Sequence, residues 1–205
     1  MMTKQPLEVW CTTMSLLRHN PQDVAWLIHE SAPELFALIF GSKAIPLLTD
    51  FVQRSHNRFS YKNIRVAQAG DRVLGMATIL KAEDIHDNAD DRTVLSWWEK
   101  LRLQLAQRLI LSRILQHDYP TGSFYISNLA VHAEYRGRGI GTQLLLQCIA
   151  DAIAAGASTV FISVDIENSR AYKLYESLGF QVVTTKTMRL FGTTIGSRVL
   201  ALSIP

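Results

Sequence analysis

Cysteine is scarce in this 205-residue chain. Cys11 and Cys148 lie far apart, in no CxxC or ligand-like spacing, which argues against a secreted disulfide scaffold and fits a reducing compartment. The opening MMTKQPLEVWCTTMSLLRHN has a lysine but no continuous apolar stretch with a small-residue cleavage site, so it does not read as a signal peptide. Long hydrophobic runs are missing too. The most apolar candidate, residues 94–115, is interrupted by Glu99, Lys100, Arg102, Arg108 and Arg113, whereas a spanning helix needs about 20 mainly apolar residues. The expectation is a cytoplasmic protein with no membrane partner.

Clustered charge is also absent. The net charge of +3 comes from dispersed basic residues with no aromatic-laced run among them, which speaks against a nucleic-acid partner. No repeat, low-complexity tract or Pro/Gly/Ser-rich linker divides the chain, so one domain over residues 1–205 is expected. His19, His29, His56, His86 and His117 form no HExxH or other compact ligand motif, so no metal is expected. Ser127, Ser158 and Ser163 lie in no GxSxG elbow, and Cys148 falls within the apolar helix pattern of Leu144, Leu145, Ile149 and Ile153. These absences exclude the usual covalent acyl-enzyme.

What is present alternates between strand and helix patterns. Leu7, Val9 and Cys11 suggest a first strand, and Asn20-Pro21 a helix start. Residues 23–40 read as helix, restarted at Pro33 and ended at Gly41, with another helix over 45–52. Residues 63–68 and 73–80 form a hairpin about Ala-Gly-Asp-Arg. A polar stretch, 83–92, precedes a long helix pattern over 94–115, which the cluster Tyr119-Pro120-Thr121-Gly122 ends. Strand 123–131, helix 142–155 and strand 159–165 then make a βαβ unit, followed by helix 169–178. Two last strands, 181–189 and 198–203, flank a loop over 191–197.

The segment Tyr135-Arg136-Gly137-Arg138-Gly139-Ile140-Gly141-Thr142 lies between a strand and a helix. Free backbone N–H groups converge at such a helix N-terminus, and glycines let an anion approach, so the turn suits a pyrophosphate. A turn that only packs helix against strand is the alternative. A dinucleotide fingerprint and a Walker loop each require glycine spacings that are not here.

Arg136, Gly139 and Gly141 match the pattern Q/R-x-x-G-x-G/A, with Leu129-Ala130-Val131 before it. Downstream, the run from Asp165 through Asn168 and Tyr175 to Phe180 is similar to a second signature. Together these resemble the acetyl-CoA-dependent N-acetyltransferase superfamily, GNAT, over residues 124–180. The resemblance implies an α/β fold with a central, mostly antiparallel twisted sheet and helices on both faces. Residues 121–180 would be the acetyl-CoA-binding core and 94–117 a helical insertion. It further implies that the strand ending at Val131 parts from its neighbour to admit the pantetheine arm, with Leu129, Ala130 and Val131 in contact. The pyrophosphate would lie over Arg136, Gly137, Arg138, Gly139, Ile140, Gly141 and Thr142, and Asn168 would meet the arm or position a water. A helix cap is an equal and compatible reading of Asn168.

Acetyl transfer needs a neutral amine, a partner for the developing oxyanion and a proton for the departing thiolate. Tyr175 matches the family's proton donor, since a phenol near pKa 10 can protonate a thiolate whose thiol lies near about 8.5. Its alternative is to fill a helix face with Ala171 and Leu178. A backbone N–H near Val131 is the implied oxyanion donor. Many relatives carry a carboxylate on the strand before the glycine turn, but 124–131 contains none. Water held by Ser127, Asn128 or Tyr125 is one substitute and His132 another, although a histidine at a strand end is more often an exposed bystander. Glu83, Asp84, Asp87, Asp90 and Asp91 read as a solvated loop. Without a base, a peptide α-amine near pKa about 8 is a better acceptor than a lysine near about 10.4. The expected partners are therefore acetyl-CoA and an amine, with a non-catalytic acyl-CoA-binding module as the rival reading. Trp97 and Trp98 mark a possible homodimer face or a cover for the acceptor cleft.

Overall fold

The computed structural model describes residues 8–114, 118–190 and 193–204. Its centre is one seven-stranded sheet in the order β1-β2-β3-β4-β5-β7-β6. The strands are β1 (Trp10–Thr13), β2 (Ile64–Ala69), β3 (Arg72–Lys81), β4 (Ser123–Val131), β5 (Thr159–Asp165), β6 (Gln181–Leu190) and β7 (Thr193–Ser203). Every neighbouring pair is antiparallel except β4 and β5, which run parallel because α7 (Ile140–Ala154) carries the chain back between them.

Helices cover both faces. On one, α1 (Pro21–Ser31), α2 (Pro33–Phe40) and α3 (Ala44–Val52) bury Val24, Leu27, Ile28, Leu48 and Phe51 against Ile64, Val66 and Met76. On the other, α7 and α8 (Ser169–Ser177) bury Leu144, Leu145, Cys148 and Tyr175 against Leu74, Ala77, Ile126 and Ile162. Asn20 caps α1 as the Asn-Pro pair predicts, its side-chain oxygen accepting from the Gln22 N–H at 2.9 Å. The most apolar helical run is Pro33–Val52, not residues 94–115. The Gly41–Lys43 turn divides it, and Phe36, Ile39, Phe40, Leu47 and Leu48 lie in the core.

Three expectations need correction. Residues 94–115 are not one helix. A short α4 (Asp91–Val94) ends at Leu95, α5 (Trp97–Ala106) starts afresh, a wider π-turn runs over Gln107–Leu111, and α6 (Ser112–Ile114) follows. The restart has a local cause: Ser96 and Glu99 form a capping box, the Ser96 N–H donating to Glu99 Oε2 at 2.9 Å. Residues 193–197, expected in a loop, belong to β7, where Thr193–Ser197 pair with Leu190–Lys186. The first strand is Trp10–Thr13, shifted along from the Leu7 pattern. Leu7, 115–117 and 191–192 lie outside the described residues.

Candidate active site

Strands β4 and β5 pair only where Ser123–Ile126 face Thr159–Ile162. Beyond that point β4 continues to Val131 against β3 alone, and β5 to Asp165 against β7 alone. A bulge accompanies the parting: Thr78 opposes Asn128 and Ile79 opposes Ile126, so Ser127 is the extra residue. A bulge bends its strand and increases local twist, which turns β4 away from β5.

The parted edge exposes backbone groups in a set order. The His132 N–H donates to Leu74 O at 2.9 Å, and antiparallel pairing alternates, so Ala130 and Asn128 bond β3 while Leu129 and Val131 turn their groups toward the gap. The Val131 carbonyl already accepts from Arg136 Nε at 2.9 Å, leaving its N–H free for a bound group.

A cleft of about 480 Å³ fills this gap. Its floor is Leu129, Ala130 and Val131, one end is the turn from Arg136 to Thr142, and Asn168, Arg170, Ala171 and Leu174 form a side wall. The turn is shaped by glycine: Gly137 and Gly139 hold φ of 83° and 80°, which β-carbon sterics disfavour for other residues. Gly139 is the N-cap of α7, and no side chain caps that helix. The helix begins at Ile140, two residues before the expected start, so the N–H groups of Ile140, Gly141 and Thr142 point out of the first turn at the positive end of the helix dipole. Arg136 and Arg170 add charge there.

Ten of the twelve residues singled out in the sequence line this cleft: Leu129, Ala130, Val131, Arg136, Gly137, Gly139, Ile140, Gly141, Thr142 and Asn168. Asn168 also caps α8, accepting from the Ala171 N–H at 3.0 Å. Arg138 is not in the lining; it donates to the Glu134 carbonyl at 3.2 Å and lies over Tyr135. Tyr175 is not in the lining either, although Leu174 and Ala171 beside it are. Its ring is 5% exposed and packs near Phe180, and burial, followed by the neighbouring Tyr125, pushes its phenol well above the ordinary tyrosine range. The proton therefore stays on the oxygen at neutral pH.

Several lining residues carry no sequence signal. Glu30 and Ser31, at the end of α1, also line the cleft. The connection runs through a chain of polar bonds: Ser127 Oγ donates to Asn128 Oδ1 at 2.9 Å, and Asn128 Nδ2 donates to Ser31 Oγ at 2.7 Å. Arg170 was legible only by its place two residues after Asn168.

Other candidates sit elsewhere. His132 is stacked on Trp26 at 4.8 Å rather than free in solvent, and burial followed by the charge of Arg72 lowers its pKa. Asp90 is a structural acceptor for the His56 N–H and Asn57 Nδ2, and Glu83 accepts from the Gly122 N–H at 2.8 Å. The Cys148 thiol is fully buried in α7, where desolvation raises its pKa to about 12. Trp97 and Trp98 stack at 3.8 Å with both rings exposed, away from the cleft lining.

Comparison with known proteins places this geometry. A family model described as "Acetyltransferase (GNAT) family" matches residues 25–180. The chain is 43% identical over 56 residues to N-alpha-acetyltransferase 30 of Xenopus laevis, a match covering 27% of this chain and 20% of that protein. It is 37% identical over 59 residues to the [ribosomal protein bS18]-alanine N-acetyltransferase of Escherichia coli strain K12, covering 29% of this chain and 40% of that protein. An N-acetyltransferase structure from Staphylococcus aureus Mu50 superposes with a TM-score of 0.71 at 19% identity, over 94% of this chain and 100% of that one.

Proposed function

The chain belongs to the acetyltransferase (GNAT) family, whose acyl donor is acetyl-CoA, and we propose that it moves the acetyl group directly onto an amine of a peptide or small molecule. The observation that carries this reading is the parting of β4 from β5 beside the uncapped N-terminus of α7. The opening offers a pantetheine arm the backbone groups of Leu129 and the N–H of Val131, and the helix end offers a pyrophosphate free N–H groups with Arg136 and Arg170 beside them.

In this reading Leu129, Ala130 and Val131 hold the arm, Arg136, Gly137 and residues 139–142 hold the pyrophosphate, and Asn168 borders the arm while capping α8. A backbone N–H on the parted stretch of β4, near Val131 and including Leu129, stabilises the oxyanion, because preorganised donors in a partly water-excluded site act where charge develops. Tyr175 returns a proton to the thiolate. Residues 121–180 form the acetyl-CoA-binding core of one domain, the insertion over 94–117 and the N-terminal helices shape the acceptor side, and the two free cysteines fit a cytoplasmic home.

A peptide α-amine is the favoured acceptor class. It loses its proton more readily than a lysine side chain, and two of the relatives are named for N-alpha and alanine N-acetylation. The rival reading is an acyl-CoA-binding module without turnover. Release of free CoA thiol on adding unblocked peptides or polyamines to the protein with acetyl-CoA decides between them: amine-dependent release is expected, and tight acetyl-CoA binding without release favours the module.

A further inference from the structure

We propose that Glu30 is the catalytic base that takes the proton from the acceptor's ammonium group; this rests on the N-acetyltransferase reading above. Glu30 supplies the cleft's one carboxylate among the described residues. It lies 106 positions before Arg136, where the glycine-turn signature begins, and β4 carries no carboxylate.

Its place along the cleft fits the reacting end. The glycine turn occupies one end and would take the pyrophosphate, so the thioester lies toward the other. Ser31 marks that other end, bonded to Asn128 beside the β4 bulge, and Glu30 is its neighbour. An amine reaching the thioester there meets the Glu30 carboxylate.

Among the described residues no hydrogen bond holds the Glu30 carboxylate. Glu30 sits in the last turn of α1, where the negative end of the helix dipole opposes it. Its one ion-pair contact among the described residues is His29 Nδ1 at 3.9 Å, and its side chain is 33% exposed, so a proton taken there can pass to water. Around it stand His29 on the same helix, His132 at the end of β4, and Arg136 and Arg170 across the cleft. His132 is stacked on Trp26 and absent from the lining, which leaves Glu30 as the group within the cleft.

The carboxylate takes one proton from R–NH3+, giving R–NH2. The nitrogen attacks the thioester carbonyl, forming the N–C bond as the C–S bond breaks. A second proton from the nitrogen reaches the departing thiolate by way of the donor group, yielding CoA thiol and the amide, and Glu30 returns its proton to solvent.

The test compares wild type, Glu30→Gln and Glu30→Asp in acetyl-CoA binding, thermal stability and the pH profile of kcat/KM. The acceptors are a panel of unblocked peptides differing in the first residue, spermidine, and methoxyamine, which is neutral at pH 7. Glu30→Gln is expected to bind acetyl-CoA as wild type does, to melt no lower, and to lose about 10²- to 10⁴-fold in rate with peptides and spermidine. Its pH profile should follow the ionisation of the amine itself in place of the Glu30 limb, and it should keep the wild-type rate with methoxyamine, while Glu30→Asp recovers part of the loss. An unchanged rate and profile in Glu30→Gln overturns the role of Glu30 and leaves the transferase reading intact. An equal loss with methoxyamine, or loss of acetyl-CoA binding, also overturns it, because Glu30 then serves positioning or folding. A wild type that releases no CoA with any of these amines overturns both.

Discussion

Asn128 and Ser31 are 97 positions apart in sequence, yet Asn128 Nδ2 donates to Ser31 Oγ at 2.7 Å. The bond ties the end of α1 to β4 one residue past the bulge, on the stretch where β4 and β5 have parted. Asn128 is held in turn by Ser127, its Oδ1 accepting from the Ser127 hydroxyl.

Asn128→Ala is therefore expected to destabilise by about 1 kcal/mol, the net worth of an ordinary hydrogen bond, or roughly 2 to 4 °C in a protein of this size. Turnover should fall more than acetyl-CoA affinity, because the bond positions α1 and not the glycine turn. Thermal melting beside steady-state kinetics measures both, and an affinity loss as large as the rate loss would contradict the assignment.

Acetyl-CoA at 100 times its dissociation constant should add about 2.7 kcal/mol, raising the melting temperature by roughly 5 to 10 °C. Gly141→Glu, which sets a carboxylate at the free N–H groups of α7, should abolish that shift in a protein that still folds. A full shift in the variant would move the binding site away from the turn.

Tyr175→Phe should slow CoA release by about 10²-fold or more if the phenol is the proton donor, with acetyl-CoA binding retained. Burial keeps the phenol protonated well above the ordinary tyrosine range, so ionisation of Tyr175 should not limit the wild-type rate between pH 7 and about 10. A rate profile taken on both proteins checks this; a wild-type rate in Tyr175→Phe would leave Tyr175 as core filling.

Stability should fall in alkali with a window set by Cys148. Its pKa is raised from 9.0 to about 12 in the folded chain by desolvation. Above pH 9 the unfolded thiol ionises while the folded one does not, so this contribution is present in full below pH 9 and is lost as pH rises toward 12. Cys148→Ala should show a shallower decline across that interval in denaturant titrations, whatever its starting stability.

Helix α5 has the opposite pH dependence. Glu99 accepts from Lys43 Nζ at 3.0 Å and from the Ser96 N–H, and these bonds, Lys43 first, hold its carboxyl below the usual range despite some desolvation. That stabilisation is present above the ordinary value of 4.5 and is lost as pH falls through the lowered one. Glu99→Ala should destabilise by about 1 kcal/mol at neutral pH through loss of the cap. The deficit should shrink in acid, as melting curves across that range would record.

The order of elements was legible because local pattern dictates it. Asn20-Pro21 starts α1 by its own side chain and ring, Gly70-Asp71 turns the hairpin, and the 123–131 strand has the limits its residue pattern suggests. The 94–115 run was misread as one helix because its apolar spacing continues through a break that only the Ser96–Glu99 capping box reveals. Residues 193–197 looked like a loop because their strand character comes from pairing with Lys186–Leu190, a contact that composition does not encode.

By itself the sequence determined the glycine turn, the helix that follows it and the flanking strand, since these depend on backbone freedom and neighbouring residues within one short segment. Tertiary structure alone decided what faces that turn. Glu30 and Ser31 join the cleft only because α1 packs across the sheet and Asn128 reaches it, and Arg138 leaves it because Glu134 and Tyr135 hold the guanidinium elsewhere. Long-range packing sets these positions, and no local periodicity records which side chains it will bring together.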